Sequence, residues 1–213
     1  GFFDPTVGSL VNAYGFGPEK KINNFSKKQI DSLIELTGFS KVSLTSEGTI
    51  KKKYSNIYLD FNAIGKGYIV DLISELLISY DIKNFLIEIG GEIIAKGKNP
   101  NSGNFWKVAI DNPSQKNNRK LIKTIFLKNK ALATSGNYRK YRIDSLTGKK
   151  YVHTINPKNG KSFQSKILSV SVLASDCMTA DAWATALMVM PFQLSKSIIE
   201  SIEGIDAYWI LSN

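Results

Sequence analysis

Four short segments of this sequence combine residue types and spacings that can do chemistry. The first is Asp60-Phe61-Asn62-Ala63-Ile64-Gly65-Lys66-Gly67, an acidic residue followed by small residues, a lysine and a helix start. A helix N-terminus presents free backbone N–H groups and the positive end of a dipole, so it can hold an anion, and Lys66 can add a full charge. It is not a Walker A loop, because Gly67 follows Lys66 where that motif needs Ser or Thr. An ordinary strand–helix turn with an exposed lysine accounts for the same residues. The second segment runs from Cys177 to Leu187 and carries Asp181 and Thr185 four apart on one helix face. A carboxylate in so apolar a helix is costly unless paired or bound to a cation. Two hard oxygen donors one turn apart suit magnesium, which takes few protein ligands and keeps waters or phosphates. The alternative is that Asp181 pairs with a lysine and Thr185 bonds its own helix backbone.

The third segment holds the lone histidine, His153, where Tyr151-Val152 reads as a strand entering an Asn156-Pro157…Gly160 turn. One histidine cannot build a histidine metal site, but it can act as acid, base or hydrogen-bond donor near neutral pH. A histidine merely hydrogen-bonded in the fold is the alternative. The fourth is Ala133-Thr134-Ser135-Gly136-Asn137-Tyr138, hydroxyls at a strand end that can bind a ligand or simply close a turn. No Gly-x-Ser-x-Gly elbow is present to make Ser135 a nucleophile. Ile89-Gly90-Gly91-Glu92 similarly marks a bulge or a close backbone approach.

Elements that would position these segments follow from pattern. Ser26-Lys27-Lys28-Gln29 is a capping box opening a short helix with Ile30, Leu33 and Ile34 on its apolar face. Strands are expected at 41–45, 49–54, 57–61, 84–89, 92–95, 106–110, 121–127, 131–134, 167–173 and 207–211. A long helix is expected over 63–80, burying Ile69, Val70, Ile73, Leu76 and Leu77. Asp176 caps a helix over 177–190, and Pro191 opens another to about 202. Strands mixed irregularly with three or four helices indicate an α+β fold. The stretch 112–119 reads as an exposed loop, and no linker clearly divides the chain.

The formal charge of +10, from 28 basic and 18 acidic residues, favours an anionic partner: nucleic acid, anionic lipid or a phosphate-bearing small molecule. The short basic runs at 51–53 and 116–120 read as solvated turns, and a basic stripe interleaved with aromatics, as nucleic-acid binding would show, is not evident. No apolar run reaches the roughly 18 residues of a membrane-spanning helix. Cys177 is the only cysteine, which excludes an internal disulfide and a cysteine metal cluster, and its apolar setting favours a small buried core residue.

In order along nearly the whole chain, Phe3-Asp4-Pro5-Thr6-Val7-Gly8, the 60–68 segment, Ile89-Gly90-Gly91, Ala133-Thr134-Ser135-Gly136, His153 with Pro157 and Gly160, and the 176–187 segment resemble the ApbE family of FAD:protein FMN transferases. Phe61, Asn62, Gly65, Asn137 and Asn156 depart from the commoner residues of that pattern. The resemblance implies an ApbE-like, T-fold-related layered sheet, mixed or antiparallel, packed with helices. It implies one flavin transferase domain over 1–213 that lacks the family's N-terminal segment. It implies a magnesium ion on the Asp181 carboxylate, the Thr185 hydroxyl and the Ala63 carbonyl. FAD contacts are implied for Asp4, Pro5, Thr6, Asp60, Lys66, Thr134 and Ser135. His153 is implied as general base or phosphate-binding group, with Lys66 also catalytic. The implied reaction moves FMN from FAD to a threonine hydroxyl of an acceptor flavoprotein and releases AMP. FAD hydrolysis to FMN and AMP, or FAD binding without catalysis, are the alternatives. Implied partners are subunits of redox pumps, and the implied location is the extracytoplasmic side of a bacterial inner membrane, behind a lipid anchor.

Overall fold

The computed structural model describes residues 2–19, 21–22, 26–113, 121–137, 141–145, 147–148, 150–163 and 165–212. Tyr138, the basic run 116–120 and most of the expected loop 112–119 lie outside these residues. Along the chain come a 3-10 turn Pro5–Val7, α1 Gly8–Ala13, α2 Lys27–Glu35, a 3-10 turn Phe39–Lys41, β1 Val42–Leu44, β2 Ile50–Lys52, α3 Gly65–Ser79, β3 Phe85–Ile89 and β4 Glu92–Lys96. They continue with β5 Trp106–Asp111, β6 Leu121–Leu127, β7 Ala131–Gly136, β8 Tyr141–Ile143, β9 Lys150–Val152, β10 Ile155–Asn156, β11 Lys161–Ser162, β12 Ile167–Ala174, α4 Cys177–Met188, α5 Phe192–Glu200 and β13 Asp206–Leu211. Helices and antiparallel strands thus alternate irregularly, and the fold is α+β. No helix among the described residues is long and apolar enough to cross a membrane.

The chain gathers into two compact units, residues 1–61 with 139–164, and residues 62–138 with 165–213. In the first unit the capping box of α2 forms as expected: Gln29 N–H donates to Ser26 Oγ at 3.2 Å, and Ser26 N–H to Gln29 Oε1 at 3.0 Å. Its half-buried face is Ile30, Leu33 and Ile34. Leu10 of α1 and Tyr14, which caps its C-terminus, form a core with Ile155, against which Leu33, Phe16 and Tyr151 pack. Gly160 (φ +65°) ends the Asn156–Gly160 turn where a Cβ would lie 2.8 Å from Ile34 Cγ1, so that turn seats directly on α2. The expected strand over 57–61 does not form. Asp60 N–H donates instead to Pro5 O at 2.7 Å, so the segment is tied to a 3-10 turn rather than to a ladder.

The second unit is a layered structure around a five-stranded sheet, β13-β12-β7-β4-β3, antiparallel at every step. Gly90 and Gly91 are neither bulge nor interruption. They are the two-residue turn between β3 and β4, with Ile89 opposite Glu92 and both φ positive (+64° and +103°), as type I′ hairpins require. Because side chains alternate along a strand, the register sorts them into two faces. One face carries Ile93, Ala95, Leu132 and Leu173, which pack with Val108 and Leu127 of the β5–β6 hairpin. The other carries Glu92, Ile94, Ala133, Ser135, Val170 and Val172 and is covered by helices. Ala180 and Ala184 of α4, both fully buried, let that helix lie close to the sheet.

Helix α3 reaches α4 more closely than any side chain would allow. A Cβ on Gly67 would stand 2.5 Å from the Cys177 carbonyl oxygen and 2.7 Å from Met178 Cα. One turn on, the Asp71 carboxylate accepts the Cys177 and Met178 N–H groups, both at 2.8 Å, and so caps α4 from outside the helix. These contacts choose the buried face of α3. Val70 is buried and Ile73 and Leu77 half-buried, but Ile69 (49%) and Leu76 (54%) are exposed, contrary to the expectation from apolar pattern. Small size and capping at 67, 71 and 74 outweigh hydrophobic bulk at 69 and 76. Gly67→Ala is therefore expected to cost about 1–3 kcal/mol by overpacking, whereas Gly65→Ala, which meets open space, leaves stability unchanged or slightly raised. Calorimetric unfolding of both variants checks the contrast.

Candidate active site

Asp181 sits on the α4 face turned toward α3. The helix begins where it does because Asp176 caps it, its carboxylate accepting Thr179 N–H at 2.8 Å, with the Asp71 contacts beside it. Asp181 is 3% exposed, and Gly67 N–H donates to its Oδ2 at 3.2 Å. Burial, followed by the neighbouring Glu92 charge, pushes its carboxyl up to about 6, while Lys66 and the Gly67 N–H act in the opposite direction. Thr185, one turn along and half-buried, places Oγ1 3.2 Å from Ser135 Oγ on the helix-covered face of the sheet. Thr185 is thus engaged across to β7.

Lys66 is the second residue of α3 and forms an ion pair with Glu92 Oε2; the lysine side chain is 47% exposed and the glutamate 2%. The α3 ladder opens with Tyr68 N–H donating to Ile64 O, and Gly67 N–H is turned to Asp181. The Ala63 carbonyl therefore precedes the ladder instead of belonging to it. Asp181, Thr185, Ser135, Lys66, Glu92 and Ala63 all belong to the second unit. No group of three or more His, Cys, Asp or Glu side chains among the described residues is arranged to hold a metal. The oxygen donors on these elements are mixed: the buried Asp181 carboxylate, with one hydrogen bond from the described residues, the Thr185 hydroxyl and the Ala63 carbonyl. All are hard oxygens of the kind magnesium accepts. The charges fit as well, since two buried carboxylates face one ammonium.

Thr134 is separated from this group by strand alternation. Its Oγ1 lies 2.7 Å from Ser171 Oγ, its register partner, on the opposite sheet face from Ser135. Of the 134–135 pair, only Ser135 reaches α4. Cys177 is fully buried, and burial together with nearby carboxylates raises its thiol far above the usual range, which makes it a core residue.

The remaining sequence-derived residues belong to the first unit. Asp4 is buried: its Oδ1 accepts Thr6 N–H (3.0 Å) and Thr6 Oγ1–H (2.6 Å), and its Oδ2 accepts Phe39 N–H (2.9 Å). Thr6 Oγ1 in turn accepts Gly38 N–H at 2.6 Å, while Pro5 gives its carbonyl to Asp60 N–H. These side chains lock the 38–39 turn in place, so what the segment can offer a ligand is mainly shape. Asp60 is half-buried just ahead of the 62–64 turn. His153 lies half-buried between β9 and β10, its ring edge-on to Phe16 at 6.3 Å.

Sequence pattern alone did not single out Glu92 or Asp71. Glu88 and Glu92 look alike in sequence, but the register puts them on opposite sheet faces, with Glu88 in solvent and Glu92 in the interior beneath the helices. Asp71 reads as one more polar residue of a helix, since its partners lie more than a hundred residues away.

A raised acid constant has a sign that can be followed. Between the ordinary value of 3.8 and about 6 the folded chain binds more protons at Asp181 than the unfolded chain. Stability from this group is therefore greatest below that window, falls as pH rises through it and is level above it, a loss of about 3 kcal/mol. In thermal melts without divalent cations, Asp181→Asn is expected to match the wild type near pH 4 and exceed it near pH 7.

Comparison with known proteins shows the family of the chain. The family model described as ApbE family matches residues 1–209. The FAD:protein FMN transferase of Haemophilus influenzae is 38% identical over 194 residues, covering 89% of this chain and 55% of that protein. That of Vibrio cholerae is 39% identical over 203 residues, covering 94% and 59% respectively. The solved flavin transferase ApbE from Vibrio cholerae superposes with a TM-score of 0.86 at 35% identity, covering 99% of this chain and 65% of that one. The ApbE protein of Thermotoga maritima gives 0.85 at 28%, covering 99% and 67%. This chain thus spans less than three fifths of the length of the two curated relatives. With the family model matching all but its last few residues, the chain belongs to the ApbE family.

Proposed function

We propose that this chain is the larger part of an FAD:protein FMN transferase that works with magnesium. The observation that carries the reading is the buried Asp181 carboxylate, with Thr185 one turn away, the Ala63 carbonyl outside the α3 ladder and a lysine at the helix start. Magnesium would be held by Asp181, Thr185 and Ala63. When bound, it supplies Lewis-acid neutralisation of the pyrophosphate charge.

The chain's own residues do the rest. Lys66, half-exposed, offers its remaining ammonium protons to the FAD phosphates. The first N–H groups of α3 add the positive end of a helix dipole. Ser135 holds the Thr185 hydroxyl and so its orientation. In the transfer, a threonine oxygen of the acceptor bonds to the FMN-side phosphorus, the bond from that phosphorus to the bridging oxygen breaks, and AMP leaves with that oxygen. The hydroxyl proton passes to His153 in this reading, a role taken from the family resemblance, as are the FAD contacts of Asp4, Pro5, Thr6, Asp60 and Thr134. Such a step depends on alignment and charge neutralisation more than on covalent help. The same resemblance supports redox-pump subunits as acceptors and an extracytoplasmic, membrane-anchored setting.

The test uses the full-length protein with FAD, magnesium and an acceptor containing the target threonine. The acceptor is expected to gain the mass of FMN as AMP appears, and chelation of the metal stops both. Asp181→Ala is expected to reduce AMP release to background. AMP release at an unchanged rate in that variant removes the metal assignment, and AMP formed equally with no acceptor makes the enzyme a hydrolase. His153→Ala is expected to lower kcat by about 10²–10⁴ with little change in KM.

A further inference from the structure

Glu92 is the charged residue at this site that no ligand assignment uses. It opens β4 directly after the Gly90–Gly91 turn and is 1% exposed. Its Oε2 meets the Lys66 ammonium in an ion pair, and no hydrogen bond from the described residues reaches that oxygen. A carboxylate buried with so little support is a poor source of stability; apolar replacements of such pairs are often neutral or better. Its presence calls for another reason.

The reason lies in which carboxylate captures the lysine. Glu92 and Lys66 both act electrostatically on Asp181, and Lys66 pairs with Glu92, so this ammonium is within influence of two buried carboxylates. It is bound to Glu92. We propose that Glu92 is a positioning residue that holds the Lys66 ammonium away from Asp181 and so leaves the Asp181 carboxylate open to a divalent cation. This inference rests on the metal reading above. Without the Glu92 charge, Lys66 and Asp181 would neutralise each other, and an incoming cation would have to displace a lysine. With it, the three groups carry one net negative charge, which favours a cation over none. The same tether keeps Lys66 half-exposed, with two of its three N–H donors left for phosphate.

Manganese, which is paramagnetic, serves as the probe: free Mn2+ is titrated by electron paramagnetic resonance against the full chain without FAD. E92Q, nearly isosteric, is expected to weaken binding about 10- to 100-fold, the range for outer-sphere partners of metal sites. K66M is expected to bind at least as tightly as the wild type, and E92Q/K66M to regain most of the affinity that E92Q loses. The recovery is the decisive sign, because a glutamate that served as a direct ligand or only as structural support would leave the double variant as weak as E92Q. Either that result, or wild-type affinity in E92Q, overturns the inference. Circular dichroism melts report whether each variant folds. Should E92Q alone not fold, the K66M background carries the test, and there adding E92Q must cost far less than tenfold. A wild type that takes up no manganese overturns the metal reading first and this inference with it, an outcome distinct from any difference between variants.

Discussion

The contact between α3 and α4 at Gly67 is the constraint on which the site depends. Two helix backbones can approach this closely only where one of them has no side chain. Because they do, Gly67 N–H reaches the Asp181 carboxylate, and Asp71, one turn further, reaches the exposed N–H groups at the start of α4. One short stretch of helix thereby caps its neighbour, gives the buried acid its hydrogen bond and aims Lys66 at the sheet. Larger apolar residues of α3, Ile69 and Leu76, are left in solvent as a consequence.

Burial of charge is what gives this arrangement its chemistry. Asp181 and Glu92 are almost completely withdrawn from water, and Lys66 stands against Glu92. A low-dielectric setting makes the uncompensated charge expensive. The cost is borne by the layered packing of the second unit, where apolar residues on both sheet faces hold the strands in register. The first unit uses its polar residues differently: Asp4 and Thr6 spend their hydrogen bonds on the turn at Gly38–Phe39, and α2 is held by its own capping box.

The chain belongs to the ApbE family, whose model matches residues 1–209. In the structure the Lys66 ammonium is tied to Glu92, and Thr185 leans on Ser135. Neither detail follows from spacing, since a helix turn with Asp and Thr four apart occurs equally well on a solvated surface.

Local rules were enough for local features. The capping box at Ser26, the Asp176 cap, the strands at 85–89, 106–111, 121–127 and 167–174 and the shared face of Asp181 and Thr185 are properties of short segments, and each is legible from residue order. Short pieces were not: α1 and the two-residue strands β10 and β11 are too brief to show a period, and 57–61, patterned like a strand, found no strand to pair with. Read without its register, the Gly90–Gly91 pair fits a bulge as well as a turn. Tertiary structure alone decided that Glu92 is buried while Glu88 is not, that Ser135 rather than Thr134 meets α4, and that Lys66 belongs to Glu92 rather than Asp181. Each of those outcomes depends on which distant strand or helix lies alongside. Hydrogen bonds and ion pairs are short-ranged, so partners separated by tens of residues are chosen by packing and not by sequence neighbours.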